Sequence, residues 1–448
     1  MAQSVGVSLG AVASVATRAR LTGVTWPDVE GLPDDALEQQ SEIIVIGRRP
    51  KSVTCRALTL AFAVTVTTAL AGCAGIQPLR AVAAEVPQAG AACRTALGGS
   101  DLAAAPTIVW LQPGPAHDRV ALESWCRATG RPVIASRPAR VGAGIAPLND
   151  ELAVVSWNLH VGTADLAAMV GALRAGHLTG GRPVTRFVLL LQEAYRDDDS
   201  VPVDLTPGLA FASALGRLSH GDRERTDVVA LARALDLALY YAPSMRNGAP
   251  SETREDRGNA ILSTEPLSDL TAIELPFERQ RRVAVAATVT SRDPAGEPFN
   301  FRVASVHLES TGSARRLWLM VSGARVRQAR GLLEALRPHE RLIVGGDFNT
   351  WFGFSDETYH TVAAELTDAS AGDRRRTFGG IFRLDHLFSK MPDGWSVQAR
   401  RLDNRWGSDH YPLLARLRRG AAVTAATTSV STAVPAPSPY FASRSAAP

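Results

Sequence analysis

About ten short runs of apolar and β-branched residues alternate with helical stretches between residues 151 and 419. Runs of this length, bounded by turn-forming residues, are typical of strands. Strands are predicted over residues 153–157, 187–192, 238–241, 260–263, 283–290, 301–308, 342–346, 384–388, 397–401 and 413–417. Helices are predicted over residues 165–175, 226–235, 314–336 and 356–366. This mixture indicates an α/β (α+β) domain over residues 151–419, near the upper size of a single core.

A targeting segment precedes this domain. Basic residues Arg48, Arg49, Lys51 and Arg56 are followed by an uncharged run over residues 57–72, which is shorter than the roughly 20 residues that span a bilayer. The run ends in Leu70-Ala71-Gly72-Cys73, which resembles the lipobox of bacterial lipoproteins, where cleavage precedes a lipid-bearing cysteine. Residues 48–72 are therefore predicted to be a lipoprotein-type signal peptide, with a buried apolar helix as the alternative. Residues 1–47 form an uncertain extension, and we expect the translation start to lie downstream of Met1.

This interpretation predicts an exported protein on the periplasmic or cell-surface face of a bacterial membrane, anchored through a lipid on Cys73. Cys93 and Cys126 are the cysteines that remain downstream of that residue. An oxidising compartment favours their pairing, and a loop of that size would stabilise the fold by about 3.5–4 kcal/mol in the chain-entropy model. Two buried free thiols are the alternative.

The two flanks of the domain differ from it in composition. Residues 73–150 are rich in Ala, Pro and Gly and are predicted to be a small disulfide-tied lead-in with one helix over 118–129 and one strand over 107–111. Residues 420–448 are predicted to be a disordered tail, because an Ala/Thr/Ser/Pro segment cannot bury enough apolar surface to fold.

The net charge of +4 permits a nucleic-acid partner but does not require one. Arginines cluster at residues 279–282 and 374–376. We expect both clusters to be solvated faces, with phosphate binding as the alternative.

Residues with metal- or phosphate-binding side chains occur at six ends of the apolar runs. The sixth is a pair of residues just before the last run. One such ending is ordinary turn chemistry, because Asp and Asn favour turns. Six endings, all with side chains of this kind, indicate a functional site. The residues are Asn158, Glu193, His307, the pair Asp347 and Asn349, Asp385, and the pair Asp409 and His410.

The segments around these residues resemble the motifs of the endonuclease/exonuclease/phosphatase superfamily, the fold of pancreatic deoxyribonuclease and exonuclease III-type enzymes. The motifs occur in the family's order across residues 154–417: SWNLH, LLLQEAYR, GNAILST, VASVHLES, GGDFNTW, FRLDHLF and GSDHYPL. The resemblance implies a four-layer sandwich of two mixed β-sheets flanked by helices, with the active site at one edge.

The resemblance also implies roles for the strand-end residues in the hydrolysis of a phosphate ester, and Mg²⁺, with Mn²⁺ as an alternative, suits that chemistry. Glu193 would be the main metal carboxylate, with Asn158 beside it and Asp409 opposite. Asp347 would orient or deprotonate water and Asn349 would donate to the transition-state oxygens. The residues expected to contact the phosphate as acid, base or electrostatic donor are His307 and His410, the latter polarised by Asp385.

The substrate and the neighbours of the site stay open at this stage. We expect a monomeric phosphodiesterase or phosphatase acting on nucleic acid or a phospholipid; an inactive lipoprotein that uses the fold as a binding module is the alternative. His386 is predicted to be structural because it points to the other face of its strand. The aromatic residues at 351–354 could be a stacking platform, a lipid-facing patch or core packing. Arg257 is predicted to lie on the surface.

Overall fold

The computed structural model describes residues 80–82, 92–94, 97–98, 107–136, 152–203, 224–247, 253–292, 298–310 and 319–419. In these residues the strands are β1 (Arg80–Val82), β2 (Leu97–Gly98), β3 (Val109–Gln112), β4 (Val133–Ala135), β5 (Leu152–Asn158), β6 (Phe187–Asp197), β7 (Ala238–Asn247), β8 (Glu255–Ser263), β9 (Leu267–Glu274), β10 (Val283–Arg292), β11 (Pro298–His307), β12 (Leu342–Asp347), β13 (Thr367–Asp368), β14 (Asp385–Lys390), β15 (Trp395–Arg401) and β16 (Leu413–Arg419). The helices are α1 (Ala116–Cys126), α2 (Leu166–Arg174), α3 (Val228–Ala234), α4 (Leu319–Leu336) and α5 (Glu357–Ala363), with short 3₁₀ turns at Ala92–Arg94 and Gly353–Ser355.

The strands form two mixed sheets of eight strands each within the described residues. Sheet A has the order β1-β3-β9-β10-β11-β12-β14-β13 and sheet B the order β15-β16-β5-β6-β8-β7-β4-β2. Within the described residues each sheet contains two parallel pairs: β11 with β12 and β3 with β9 in sheet A, and β5 with β6 and β2 with β4 in sheet B. The pairs β11–β12 and β5–β6 lie in the interior of their sheets, where strands are covered on both faces and consist of near-continuous apolar runs.

The core has three apolar layers, as the alternation along β5 shows. Leu152 and Val154 face the layer between the two sheets, whereas Val155 and Trp157 face the layer that holds α2 and α3. A third layer joins the outer face of sheet A to α4 and α5. The order is therefore helices, sheet, sheet, helices, which confirms the four-layer sandwich.

Aspartate side chains cap the free N–H groups at the start of α2 and α3, whereas α1 begins after Pro115 without a side-chain cap. Asp165 caps α2 by accepting from Ala168 N at 2.9 Å, and Asp227 caps α3 through two backbone N–H groups. Asp caps of this kind stabilise a helix by about 1 kcal/mol. No helix in the described residues is both long enough and apolar enough to cross a membrane.

The segment before residue 151 extends both sheets. β3 pairs with β9 in sheet A and β4 pairs with β7 in sheet B. A disulfide joins Cys93 to Cys126 at the end of α1, with a Cα–Cα distance of 5.6 Å. Next to Cys93, Arg94 forms ion pairs with Glu123 and with buried Glu274.

The expectation of a solvated arginine face at residues 279–282 is wrong for two of its members. Arg281 is fully buried and bonds Glu274 Oε1 at 2.8 Å through Nε. Arg282 is 4% exposed and lies 3.6 Å from Glu309. Burial of these guanidinium groups is tolerated because each has a carboxylate partner, and no charge pattern in the sequence signals that pairing.

All ten strands predicted in the domain are present, several with longer ends. β9 was not predicted, because its residues Ser268 and Asp269 interrupt the apolar pattern at an exposed stretch. The predictions for residues 1–72, Cys73, residues 420–448 and the start of the helix predicted over 314–336 lie outside the described residues.

Candidate active site

Strand pairing places three of the predicted residues side by side at one edge of sheet A. β11 and β12 run parallel, so His307 stands beside Asp347 in register, and antiparallel β14 places Asp385 on the other side of Asp347. In sheet B, β5 and β6 run parallel and place Asn158 beside Gln192, one residue before Glu193. The two sheets thus bring strand ends from both layers to the same edge.

Two glycines on β12 allow close backbone approach just before Asp347. A Cβ on Gly345 would lie 2.7 Å from Ser156 Cβ on β5, and a Cβ on Gly346 would lie 2.1 Å from Val306 O. Real Cβ atoms do not make contacts this short. Gly345 is therefore required where β12 meets β5 of the other sheet and Gly346 where β12 passes β11 of its own sheet. Asp347 follows them directly.

Asp347 lies at the centre of the group. Its Oδ2 accepts from Asn158 Nδ2 at 3.1 Å and lies 3.5 Å from His307 Nε2 and 3.7 Å from His410 Nε2. Burial raises the pKa of Asp347 to about 7; Asp385 also raises it, while His410 and the Asn349 backbone N–H oppose the rise.

His410 is held by a carboxylate on its far side. Its Nδ1 lies 2.8 Å from Asp385 Oδ2, and its backbone N–H bonds Ser408 Oγ at 3.0 Å. Burial lowers the pKa of His410, but Asp385 and Asp347 outweigh it and raise the pKa to about 10. The ring is therefore cationic at neutral pH, with Nε2 directed toward Asp347.

His307 differs from His410 although both are buried. Burial lowers the pKa of His307 well below its ordinary value, and Arg282 lowers it further. Glu193 opposes this shift, with its Oε1 4.0 Å from His307 Nδ1. The site therefore pairs one neutral imidazole with one imidazolium.

Glu193 and Asp409 are the carboxylates most open to solvent. Their side chains are 19% and 15% exposed, against 3% and 2% for Asp347 and Asp385. Glu193 has φ of 49° and lies at an irregularity where the β6–β8 register shifts. Bulges of this kind redirect a side chain, and strained backbone of this kind concentrates at functional sites.

The backbone N–H of Asn349 helps to position the Asp347 carboxylate. Its N–H bonds Asp347 Oδ1 at 2.9 Å, and its side-chain Nδ2 donates to Leu308 O at 3.0 Å. Its φ is 51°, a left-handed conformation that Asn tolerates better than most residues. One N–H of the amide is used within the fold, which leaves the second for the predicted role.

His160 was not predicted as a site residue. Its Nδ1 lies 3.5 Å from Asp409 Oδ1, and its backbone N–H donates to Asn158 Oδ1 at 3.0 Å. It belongs to the same turn as Asn158, so the rule of polar residues at strand ends would have found it if extended by two positions.

The chemistry of the side chains fits a hard divalent cation. Asp347, Asp385 and His410 each place a potential ligand atom within 4.8 Å of the others. Asp385 Oδ1 is buried and has no hydrogen-bond partner among the described residues. However, His410 is a poor ligand while it is protonated, because a metal needs the neutral ring. The oxygen donors Glu193, Asp409 and Asn158, the first two of them solvent-accessible, suit Mg²⁺ better.

The predictions for residues around the site are confirmed for some and wrong for others. His386 is fully buried and bonds Thr350 Oγ1 at 2.9 Å on the other face of β14, as predicted for a structural residue. Trp351 packs edge-on to Phe378 and Phe382 beside His410. Arg257 is not a surface arginine: it is partly buried, and its Nη1 bonds Asn247 Oδ1 at 3.3 Å.

Residues 155–410 match the model of the Endonuclease/Exonuclease/phosphatase family. No curated protein matches the chain. Among solved structures, an endonuclease/exonuclease/phosphatase from Beutenbergia cavernae DSM 12333 is 22% identical over 61% of this chain and 72% of that chain, with a TM-score of 0.40. Sphingomyelinase C from Streptomyces griseocarneus is 18% identical over 60% and 99%, with a TM-score of 0.35. A 3′-5′ exonuclease from Neisseria meningitidis is 16% identical over 60% and 100%, with a TM-score of 0.36. The residues matched by the family model include every predicted site residue from Asn158 to His410.

Proposed function

Because the chain belongs to the endonuclease/exonuclease/phosphatase family, we propose that it is a hydrolase of phosphate esters that uses Mg²⁺, or Mn²⁺ in its place, and that its substrate is a phosphodiester. The observation that carries the proposal is the environment of Asp347 Oδ2. A buried carboxylate oxygen lies within 3.7 Å of an amide and of two imidazole nitrogens. This arrangement places a proton-accepting carboxylate next to one charged and one neutral imidazole that can donate hydrogen bonds. Hydrolysis of a phosphate ester requires such groups.

The cation would be held by Glu193 and Asp409, with Asn158 beside them. When bound, a divalent cation would neutralise charge on the phosphoryl oxygens. Glu193 lies at the bulge in β6 with its carboxylate 4.0 Å from His307 Nδ1, and His160 Nδ1 lies 3.5 Å from Asp409.

Asp347 accepts the proton of the attacking water in this proposal. Its pKa, raised to about 7 by burial, is near the optimum for a base that works at neutral pH. The Asn349 backbone N–H binds Oδ1, so Oδ2, which accepts from Asn158 Nδ2 and lies near both histidines, would take the proton. Oxygen of the water forms the new bond to phosphorus as the bond to the leaving oxygen breaks.

The histidines stabilise the phosphate in this proposal. Protonated His410, held by Asp385, directs Nε2 into the cleft as a charged donor. His307 is neutral and donates a hydrogen bond without adding charge. Because His410 is cationic, it can also supply a proton to the leaving oxygen.

A substrate panel with and without cation tests the proposal. Turnover of bis(4-nitrophenyl) phosphate, sphingomyelin, DNA or RNA in Mg²⁺ is expected to stop in EDTA and to return when Mg²⁺ or Mn²⁺ is added. Glu193→Gln is expected to weaken Mg²⁺ binding, measured by calorimetry, and to reduce turnover. Absence of turnover on the whole panel would favour a binding module, and full activity in EDTA would exclude the cation mechanism.

We also propose that the protein is exported and attached to a bacterial membrane through a lipid on Cys73, as a monomer. The Cys93–Cys126 disulfide supports export, because disulfides persist in oxidising compartments. Cys73→Ser is expected to move the protein from the membrane fraction to the soluble exported fraction and to abolish labelling by a radioactive fatty acid. Retention of both the label and the membrane location would contradict the proposal.

A further inference from the structure

A polar pocket opens beside the acidic and basic residues of the site. It has a volume of about 490 Å³ and is lined by Asp403, Asn404, Arg405, Trp406, Gly407, Ser408 and Tyr411. Ser408 and Tyr411 are the direct chain neighbours of Asp409 and His410, so the pocket lies next to the site of cleavage and not across the molecule from it. Arg405, Trp406 and Tyr411 are not among the residues proposed to hold the cation or to act in catalysis.

The pocket has a fixed floor. Trp406 packs edge-on to Trp157, with the ring centroids 6.0 Å apart, and its carbonyl accepts from Asp165 N at 2.7 Å. Trp406 and Gly407 have φ of 41° and 89°, which turns the loop sharply. The pocket is therefore part of the folded protein before any ligand binds.

The pocket has one exposed positive charge without a carboxylate partner. Asp403 is already paired with Arg375 at 2.5 Å, and Arg401 stacks on Tyr411 at 4.0 Å while its Nη1 donates to Arg376 O. The Arg405 guanidinium lies 5.3 Å from the centre of the Tyr411 ring. In the described part of the chain it is exposed and forms no ion pair, so its fork of donors is held in place yet open to an anion.

The chemistry of this pocket selects a phosphate group over an acyl chain. Five of its lining residues are polar, charged or glycine, and its two aromatic rings are occupied, one by packing on Trp157 and one by arginines. An acyl chain would bury Arg405 against hydrocarbon without a partner, which is unfavourable. A phosphate oxygen pair matches a guanidinium in geometry and charge.

We propose that this pocket, through Arg405, binds a second phosphate of the substrate, adjacent to the phosphate that is cleaved. The substrate is then a nucleic-acid strand, whose backbone carries a phosphate at every nucleotide, and not a phospholipid with a single phosphodiester. This inference rests on the proposed phosphodiesterase function.

The test compares substrates with one phosphate and with several. Steady-state kinetics are measured for bis(4-nitrophenyl) phosphate, sphingomyelin, a dinucleotide with one phosphodiester and a single-stranded hexanucleotide. The proteins are the full chain, Arg405→Gln, Arg405→Lys and the control Arg330→Gln, which removes an exposed arginine on α4 at the opposite face of sheet A. Circular dichroism checks that each is folded.

We expect Arg405→Gln to raise KM for the hexanucleotide about tenfold, the value typical of one hydrogen bond to a charged group. The bis-ester and the dinucleotide should be unaffected, Arg405→Lys should lose less than Arg405→Gln, and Arg330→Gln should match the unaltered protein. Equal KM values for Arg405→Gln and Arg330→Gln on the hexanucleotide would overturn the inference, as would turnover of sphingomyelin and the bis-ester without turnover of nucleic acid. Failure of the proposed function would differ, because the unaltered protein would then hydrolyse none of the substrates.

Discussion

The surroundings of a histidine, and not its burial, separate the residues with a proposed chemical role from those that support the fold. His410 and His386 are both buried and each lies within 3.3 Å of an aspartate. His410 faces the carboxylates of the cleft, whereas His386 faces Tyr359, Phe354 and Phe388. Burial lowers the pKa of His386, while the carboxylates raise that of His410.

We expect His410→Ala to lower kcat by about 10²–10⁴-fold, the typical contribution of a positioned acid–base or electrostatic group. Mg²⁺ affinity should change little, because the proposed ligands are oxygen atoms of other residues. Asp385→Asn should lose less activity, since the imidazole stays while its charge and orientation are less secure. Single-turnover kinetics and calorimetric titration with Mg²⁺ measure the two quantities. If His410→Ala lost Mg²⁺ affinity but kept kcat at saturating Mg²⁺, His410 would be a ligand.

His386→Ala is the matched control, with the opposite expectation. Its removal takes one hydrogen-bond partner each from Thr350 Oγ1 and Asp368 Oδ2, which costs about 1–3 kcal/mol of unfolding free energy. Its kcat should stay near that of the unaltered protein. A loss of kcat comparable to that of His410→Ala, in folded protein, would contradict the separation of the two histidines.

The positions of the strand-end residues could be predicted at this scale because strand ends in a sandwich meet at one edge. The partners of Arg257 and Arg282 could not, because each contact joins neighbouring strands whose pairing is not visible in the local sequence. Arg282 with Glu309 and Arg257 with Asn247 are such contacts. The rule that predicted Asn158 would also have predicted His160, which lies two residues further along the chain.

At the scale of elements, β12 shows how a sequence encodes the contact between two sheets. The strand is buried throughout, and its residues Gly345 and Gly346 leave space for β5 and β11. The apolar run predicted the strand, but the reason for its glycines became apparent only when the facing strand was known. In β9 the first half is exposed and carries Ser268 and Asp269, so the apolar pattern that would predict the strand is interrupted.

We expect Gly345→Ala to destabilise the protein by about 1–3 kcal/mol, the usual cost of overpacking a core. The added methyl would lie 2.7 Å from Ser156 Cβ and 2.9 Å from Leu190 Cδ1, so the two sheets must separate locally. Gly372→Ala is the control, because a Cβ there meets nothing within 4 Å. Chemical denaturation measures both. Equal stability of the two variants would show that the sheets are not in close contact at β12.

At the scale of the whole molecule, the lead-in is a structural part of the sandwich. Its strands β3 and β4 pair with β9 and β7 in the two sheets, and Arg94 bonds buried Glu274. The sequence predicted one helix and one strand in this segment but not its place in the sheets, because Ala, Pro and Gly carry little information about pairing. β9 and β7, with which β3 and β4 pair, lie more than a hundred residues away and could not be predicted as partners from local pattern.

The disulfide should therefore stabilise the sandwich as a whole. Cys93 and Cys126 are 3% and 0% exposed. The double variant Cys93→Ala, Cys126→Ala therefore removes a buried cross-link. The chain-entropy model gives a loss of about 3.5–4 kcal/mol, which corresponds to a fall in Tm of roughly 5–7 °C for a domain of this size. Activity at low temperature should persist, because the site residues belong to β5, β6, β11, β12 and later strands. Scanning calorimetry of the double variant, and of the unaltered protein unfolded with and without a thiol reductant, measures the effect. Unfolding that is indifferent to both the substitutions and the reductant would mean that the lead-in is held by its strand pairing and the Arg94–Glu274 ion pair alone.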